Sequence, residues 1–218
     1  MKENPVFLCE KLKEDLPPVF STEEIKHFLN ERYSAPQKKL DKLVSEGYIS
    51  KILKGFYTFH KTYNRFLIAN KIYSPSYISF ETALSFHGLI PERVETIYSV
   101  TQNRTYNYKT YQGYYTYSSQ NISLYSIGMS MERVAGYSVL IANREKALFD
   151  AISKHELKAK DYLVHDLLAY VIDSMRIELE DLRSLSLKKM KKLAYQYRNH
   201  APRKLYEALL QIKKEKHE

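Results

Sequence analysis

The sequence predicts an α+β protein: an N-terminal winged helix-turn-helix, then an α+β domain with an antiparallel or mixed sheet, closing on a helical segment. Three observations predict it. Within the first sixty residues, two short capped helical stretches run straight into a strand–turn–strand pattern. Residues 64–150 mix helical spacing with β-branched and tyrosine-rich runs. From residue 161 onward the apolar spacing is helical. A length of 218 residues suits a small domain plus a medium one, drawn here as 1–60 and 61–218.

The elements follow in order. Val6, Cys9, Leu12 and Leu16 share one helical phase, which Pro17-Pro18 ends. Ser21 to Glu24 is a capping box, in which the serine hydroxyl accepts from the third amide and the glutamate reaches back. Ile25, Phe28 and Leu29 continue that helix. Ser34 to Gln37 reads as a second capping box, with Pro36 in the first turn, where its missing N–H costs nothing. Leu40, Leu43 and Val44 form an apolar stripe, and Gly47 stops the helix. Tyr48–Leu53 reads as a strand, Lys54-Gly55 as a turn and Phe56–Phe59 as the returning strand. The phrase LVSEGYISKILKGFY resembles the recognition-helix-and-wing segment of bacterial winged-helix regulators.

Phase then selects candidate DNA contacts. With Leu40, Leu43 and Val44 inward, Lys38, Lys42 and Ser45 face outward, and Gln37 flanks them near the helix start, where base edges are usually met. Gln pairs with the N6/N7 edge of adenine. Ser34 stands at the entrance to the helix, and Lys51 and Lys54 lie on the wing, placed for flanking phosphates. Winged helices also serve as protein-interaction modules. Residues 1–60 carry ten Lys/Arg against nine Asp/Glu, a local charge of only +1, so that alternative stays open.

In the middle of the chain, Asn64–Tyr73 reads as an amphipathic helix, Tyr77–Ser79 as a short strand and Glu81–His87 as a helix ended by Gly88. Thr96–Thr101 and Val139–Ala142 read as strands, and Asn143 caps a helix running to Asp150. Tyrosines crowd residues 103–125, with Gly113 at a hairpin turn. Such rings stack on bases or pair across a sheet; the sheet reading is preferred. His87, just ahead of a helix-ending glycine, suits a helix-end hydrogen bond better than catalysis. Ala83, Leu84 and Leu89 are core candidates, and Glu145 and Lys146 are placed to pair across the domain.

Two blocks in this region, IANKIYSPSYISFETALSFHGLIPE (68–92) and VLIANREKALFD (139–150), resemble the AbiEi-type antitoxin family of type IV toxin–antitoxin systems. The motif positions are Tyr77, Ser79, Glu81, His87, Glu145, Lys146 and Asp150, with Arg144 where the family usually has proline. The resemblance covers roughly residues 20–150. It implies a two-part molecule. The winged helix would repress its own operon at inverted repeats of operator DNA. The C-terminal domain would counter a nucleotidyltransferase-like toxin, without a stable complex between the two.

The tail reads as helices over Asp161–Met175, Ser186–Arg198 and Pro202–Lys214. Residues 188–218 hold ten Lys/Arg against three Asp/Glu, or +7 of the total +9. Lys188, Lys189, Lys191, Lys192, Arg198, Arg203 and Lys204, interleaved with Tyr195, Tyr197 and Tyr206, suit nucleic-acid backbone contact, or else form a solvated face.

Several classes fall away. Cys9 is the one cysteine, so neither an intramolecular disulfide nor a cysteine zinc site is available. No apolar run approaches the ~20 residues of a membrane helix, and acids stand where a signal peptide would be apolar, which points to a soluble cytoplasmic protein. A nuclease built on Glu81, Glu145 and Asp150 would need carboxylates gathered at a divalent metal, and no compact motif supplies them. No catalytic residue, metal or cofactor is therefore expected. The competing readings are a stand-alone transcriptional regulator and a winged-helix adaptor without DNA.

Overall fold

The computed structural model describes residues 4–59, 64–154 and 164–215. Its first part is built from α1 (Pro5–Asp15), β1 (Val19–Ser21), α2 (Thr22–Asn30), α3 (Pro36–Ser45), β2 (Ser50–Leu53) and β3 (Phe56–Thr58). The three strands form an antiparallel sheet in the order β1-β3-β2. Gly55 turns β2 into β3 with φ +89°, a conformation that favours glycine. The Ser21–Glu24 box forms as expected: Ser21 Oγ accepts the Glu24 amide at 3.2 Å, and Glu24 Oε2 accepts the Ser21 amide at 2.6 Å.

Three local expectations are corrected. β1 lies where only a proline break was read. On α1 the buried stripe is Leu8, Cys9 and Leu12, while Val6 is 50% exposed, because the helix begins at Pro5 and Val6 sits in its solvent-facing first turn. The second capping box does not form. Ala35 is the N-cap of α3 and gives no side-chain bond, so the register shifts by one and Gln37 instead donates to Asp41 Oδ1 at 2.8 Å, one turn on.

The second part holds a six-stranded mixed sheet in the order β6-β7-β5-β4-β9-β8. These are β4 (Ser76–Ile78), β5 (Ile97–Thr101), β6 (Tyr106–Thr110), β7 (Gly113–Ser119), β8 (Met129–Val134) and β9 (Tyr137–Ala142). β4–β9 and β5–β7 run parallel and the other neighbours antiparallel. β8 had no distinct signal in the sequence. In the β6–β7 hairpin Tyr106 faces Tyr117 and Tyr108 faces Tyr115, and Tyr115 and Tyr117 are fully buried while Tyr114 is exposed. Here the tyrosines knit the sheet together.

Successive strand residues point to opposite faces, so β4 locates the helical layers. Ser76 Oγ donates to the Ala69 carbonyl of α4 (Arg65–Ile72). Its neighbour Tyr77 reaches Asp150 of α7 (Arg144–Lys154). The sheet is thus sandwiched, α4 on one face and α7 on the other. α5 (Phe80–Phe86) packs on α7. A short α6 (Ile122–Tyr125) follows β7. The helical close comprises α8 (Val164–Ala169), a π-helical turn (Tyr170–Ser174), α9 (Leu179–Ser184), α10 (Leu187–Ala194) and α11 (Ala201–Glu215). The expected helix from Asp161 is described only from Val164; positions 161–163 lie outside the described residues. α10 and α11 pack on each other and on α7.

The first part buries a core of its own, with Leu8, Leu12, Phe20, Ile25, Leu29, Leu40 and Leu43, but two of its strand residues join the larger one. Val19 of β1 and Ile52 of β2 are buried in the larger cluster with Ile68, Ala69 and Ile72. Lys71 of α4 pairs with Glu24 of α2 at 2.5 Å. Among the described residues no helix is long and apolar enough to cross a membrane.

Candidate functional site

On α3, Leu40 and Leu43 are fully buried, which turns Gln37, Lys38, Lys42 and Ser45 to the solvent as their phase requires. Ser34, Lys51 and Lys54 are exposed as well. Local bonds modify this face. Lys42 Nζ lies 3.5 Å from Glu46 Oε1, and Ser45 Oγ donates to the Lys42 carbonyl at 2.9 Å. The face also carries Asp41, which was overlooked as a site residue, although its place four residues after Gln37 is legible in the sequence.

The second site is buried and centres on α7. Asn143 caps this helix by accepting the Lys146 amide, and the i, i+4 spacing brings Lys146 and Asp150 onto one face. Both are fully withdrawn from solvent, 3.2 Å apart. Asp150 Oδ1 accepts from Tyr197 at 2.7 Å and Gln120 Nε2 at 2.8 Å, and Oδ2 accepts from Ser79 at 2.7 Å and Tyr77 at 3.2 Å. Lys146 Nζ is 3.1 Å from each of the Leu124 carbonyl, Gln120 Oε1 and the Tyr197 hydroxyl. Every charged and polar group of the cluster has a partner, the condition under which an ion pair tolerates the interior.

Burial shapes the ionisation. It pulls the Lys146 ammonium below the usual lysine range, while Asp150 opposes that shift. It pushes the Tyr77 and Tyr197 phenols well up, and the neighbouring Asp150 charge adds to this, so both stay protonated donors. The structure thus joins four of the seven motif residues, Tyr77, Ser79, Lys146 and Asp150. It adds Gln120 and Tyr197, which sequence reasoning missed. Tyr197 had been grouped with the aromatics of the basic tail; its hydroxyl instead turns inward, because α7 offers it both a charge to accept from and one to donate to.

The other three motif residues lie elsewhere. Glu145 Oε1 accepts the Ser186 amide at 2.9 Å, fastening the start of α10 to α7. His87 Nε2 lies 2.7 Å from the carbonyl of Ala142, the last residue of β9, so its ring bonds across to the sheet and not to the end of its own helix as expected. Glu81 lines a cavity of about 830 Å³ with Lys154, Tyr98, Tyr170, Ile90 and Met175. Burial and the Glu81 charge push the Tyr170 phenol up to about 12. The acids Glu81, Glu145 and Asp150 therefore serve three different surroundings. Among the described residues no group of three or more His, Cys, Asp or Glu is arranged to hold a metal.

The basic tail divides. On α10, Met190, Leu193 and Ala194 are buried, and Lys188, Lys189, Lys191 and Lys192 are exposed. Arg198 is exposed, and Lys204 is partly covered. Arg203 is occupied, its Nε 2.9 Å from Glu207 and its guanidinium over the Tyr195 ring.

No family model and no curated protein matches the sequence. Among solved structures, the fold is similar to that of the RV2827C protein from Mycobacterium tuberculosis, with a TM-score of 0.60 and 14% identity over 94% of this chain and 75% of that one. At that identity the likeness concerns the fold alone.

Proposed function

We propose that this chain is a DNA-binding regulator that represses its own operon, and that its larger part is the antitoxin against a nucleotidyltransferase-like toxin. The observation that carries the DNA-binding reading is the exposure of Gln37, Lys38, Lys42 and Ser45 on α3, beside exposed Lys51 and Lys54 on the β2–β3 hairpin. The order α-β-α-α-β-β supports reading the first part as a winged helix. The antitoxin reading rests on the AbiEi-like blocks, and it is supported by the meeting of Tyr77, Ser79, Lys146 and Asp150 in one network. The partners in this reading are operator DNA at inverted repeats and a toxin met without a stable complex, in the cytoplasm.

Lys42 and Lys38 share their face with Asp41 and Glu46, and this near-neutral balance favours, as second reading, an adaptor that docks protein. One experiment separates the two: binding of the full chain to its own upstream region and to random duplex, across a range of salt. Regulation requires a clear preference for the upstream sequence. Equal, weak binding to both sinks it. Co-expression with an adjacent nucleotidyltransferase-like gene, scored for growth, tests the antitoxin half.

A further inference from the structure

Several surface cations pair with a neighbouring acid, as Lys42, Lys71, Arg144, Arg176, Arg183 and Arg203 do. Lys189 and Lys192 do not. They sit three residues apart on α10, hence on one side of it, and neither meets a carboxylate among the described residues. Both line a cavity of about 260 Å³ with Ser126, Ile127, Gly128, Asn143 and Leu193.

The residues around it include two lysines, Asn143 and Ser126 and no carboxylate, the Ser126 hydroxyl already donating to the Ile122 carbonyl at 2.7 Å. Its size lies below the ~300–1,000 Å³ typical of whole small-molecule sites, so it suits a single chemical group. The floor is fixed. Gly128 has φ +77°, and a Cβ there would come within 2.9 Å of Lys146 Cβ and 3.2 Å of Leu193 Cδ2. Glycine thus lets α10 close on α7 at this point. Asn143 is held by its own amide, which donates to the Gly128 carbonyl at 2.9 Å, and by its side chain, which caps α7.

We propose that this cavity is a socket for a phosphoryl group, with Lys189 and Lys192 supplying charge and the Asn143 side-chain amide supplying a hydrogen bond. Paired ammonium donors form the short, charge-assisted bonds that phosphate oxygens accept. The group is either a backbone phosphate of nucleic acid or a free phosphate or monoester. The inference stands independently of the α3 reading.

The test compares two variants of the full chain that remove equal charge from the same helix: Lys189→Gln with Lys192→Gln, and Lys188→Gln with Lys191→Gln. Glutamine keeps helix propensity, and thermal melts establish that both variants fold. Inorganic phosphate is titrated at constant ionic strength against chloride and followed by the Gly128 and Asn143 amide resonances. We expect saturable shifts in the parent and the 188/191 variant, and a loss of affinity of ~10-fold or more in the 189/192 variant, the scale of a lost charged hydrogen bond. Equal behaviour of the two variants, or shifts that chloride reproduces, would overturn the proposal. Duplex binding then distinguishes the sources. A salt slope lower by about one in the 189/192 variant alone assigns the socket to nucleic-acid backbone. Unchanged duplex binding beside lost phosphate binding assigns it to a free phosphate or monoester. A chain that takes phosphate here but ignores its own promoter refutes the regulatory reading and leaves this one standing.

Discussion

The Tyr197 hydroxyl donates to Asp150 Oδ1 at 2.7 Å while Lys146 Nζ lies 3.1 Å away, so one phenol bridges both members of a buried ion pair. Tyr197 belongs to the connection between α10 and α11, and Lys146 and Asp150 belong to α7. The bridge ties the helical close to the body of the sheet. Ser79 and Tyr77 hold the same carboxylate from β4. One polar cluster therefore fixes strand, helix and tail in a single arrangement.

Breaking the pair from one side should be costly. Asp150→Ala leaves the Lys146 ammonium buried without its counter-charge, and such a loss is typically worth about 3–5 kcal/mol. Changing both, as Lys146→Met with Asp150→Leu, should cost less than the sum of the single changes, because no charge is stranded. Urea unfolding of the three variants measures the coupling. Additive costs would show that the two side chains do not act as a pair.

Tyr197→Phe removes only the bridging hydroxyl. We expect a loss of ~1–3 kcal/mol, the scale of leaving buried partners unsatisfied. The damage should be local. Amide exchange should quicken across residues 193–201 and α11 and stay unchanged in α3, which belongs to the other core. Faster exchange throughout the chain would mean that the hydroxyl is not a local fastening.

Tyr77, Tyr115 and Tyr117 are fully buried, and all three phenols are pushed above the ordinary tyrosine value, Tyr115 to about 12. A group whose folded pKa is raised gives stability that is complete below the unfolded pKa and is lost as pH rises toward the folded one. Each such tyrosine should remove ~1.4 kcal/mol per pH unit above about pH 10. Lys146 acts in the opposite sense. Its folded pKa is depressed, so its contribution improves as pH climbs toward the unfolded lysine value near 10.5. The raised phenols, which include Tyr170 and Tyr197 as well, outnumber the depressed amines Lys146 and Lys154, and stability should fall steeply above pH 10. Tyr77→Phe should make that fall shallower by about one proton's slope. An identical slope in parent and variant would exclude Tyr77 as a contributor.

How much of this was legible depended on whether the signal was local. The Ser21–Glu24 box, the α3 stripe of Leu40 and Leu43 and the turn at Gly55 are short-range patterns, and each formed. Asn143 capping α7 was equally plain. The Ser34–Gln37 box looked just as local, but α3 is capped one residue later, at Ala35, and Gln37 bonds to Asp41 one turn on. The network was half legible. Lys146 and Asp150 stand four apart, yet Gln120 and Tyr197 come from β7's end and from beyond α10, and nothing in their own surroundings marks them. The union of Val19 and Ile52 with the larger core is likewise a long-range outcome.

Gly128→Ala tests the joint beneath α10. The new methyl would meet Lys146 Cβ at 2.9 Å and Leu193 at 3.2 and 3.3 Å, at a φ that disfavours alanine. Overpacking of this kind costs about 1–3 kcal/mol. Because the contact lies between α7 and α10, the loss should include lower exchange protection in both helices. A neutral substitution would mean that α10 is free to shift outward.

If α3 reads DNA as proposed, its exposed side chains should not all act alike. Lys38→Ala should reduce affinity for the upstream region and for random duplex alike, and lower the salt slope by about one. Gln37→Ala should instead relax base preference, at ~1–3 kcal/mol of discrimination for a bidentate contact. Asp41 should act through Gln37. It accepts the Gln37 Nε2 at 2.8 Å, which leaves Oε1 as the unencumbered acceptor of the amide. Asp41→Ala frees the amide to present either end, so the preferred base should change or blur, while overall affinity rises as a negative charge leaves the face. Binding selections with randomised duplex separate these outcomes. If Asp41→Ala gains affinity but keeps the parent's base preference, the aspartate merely repels phosphate and does not position Gln37. If none of the three variants changes affinity or preference, α3 does not read DNA.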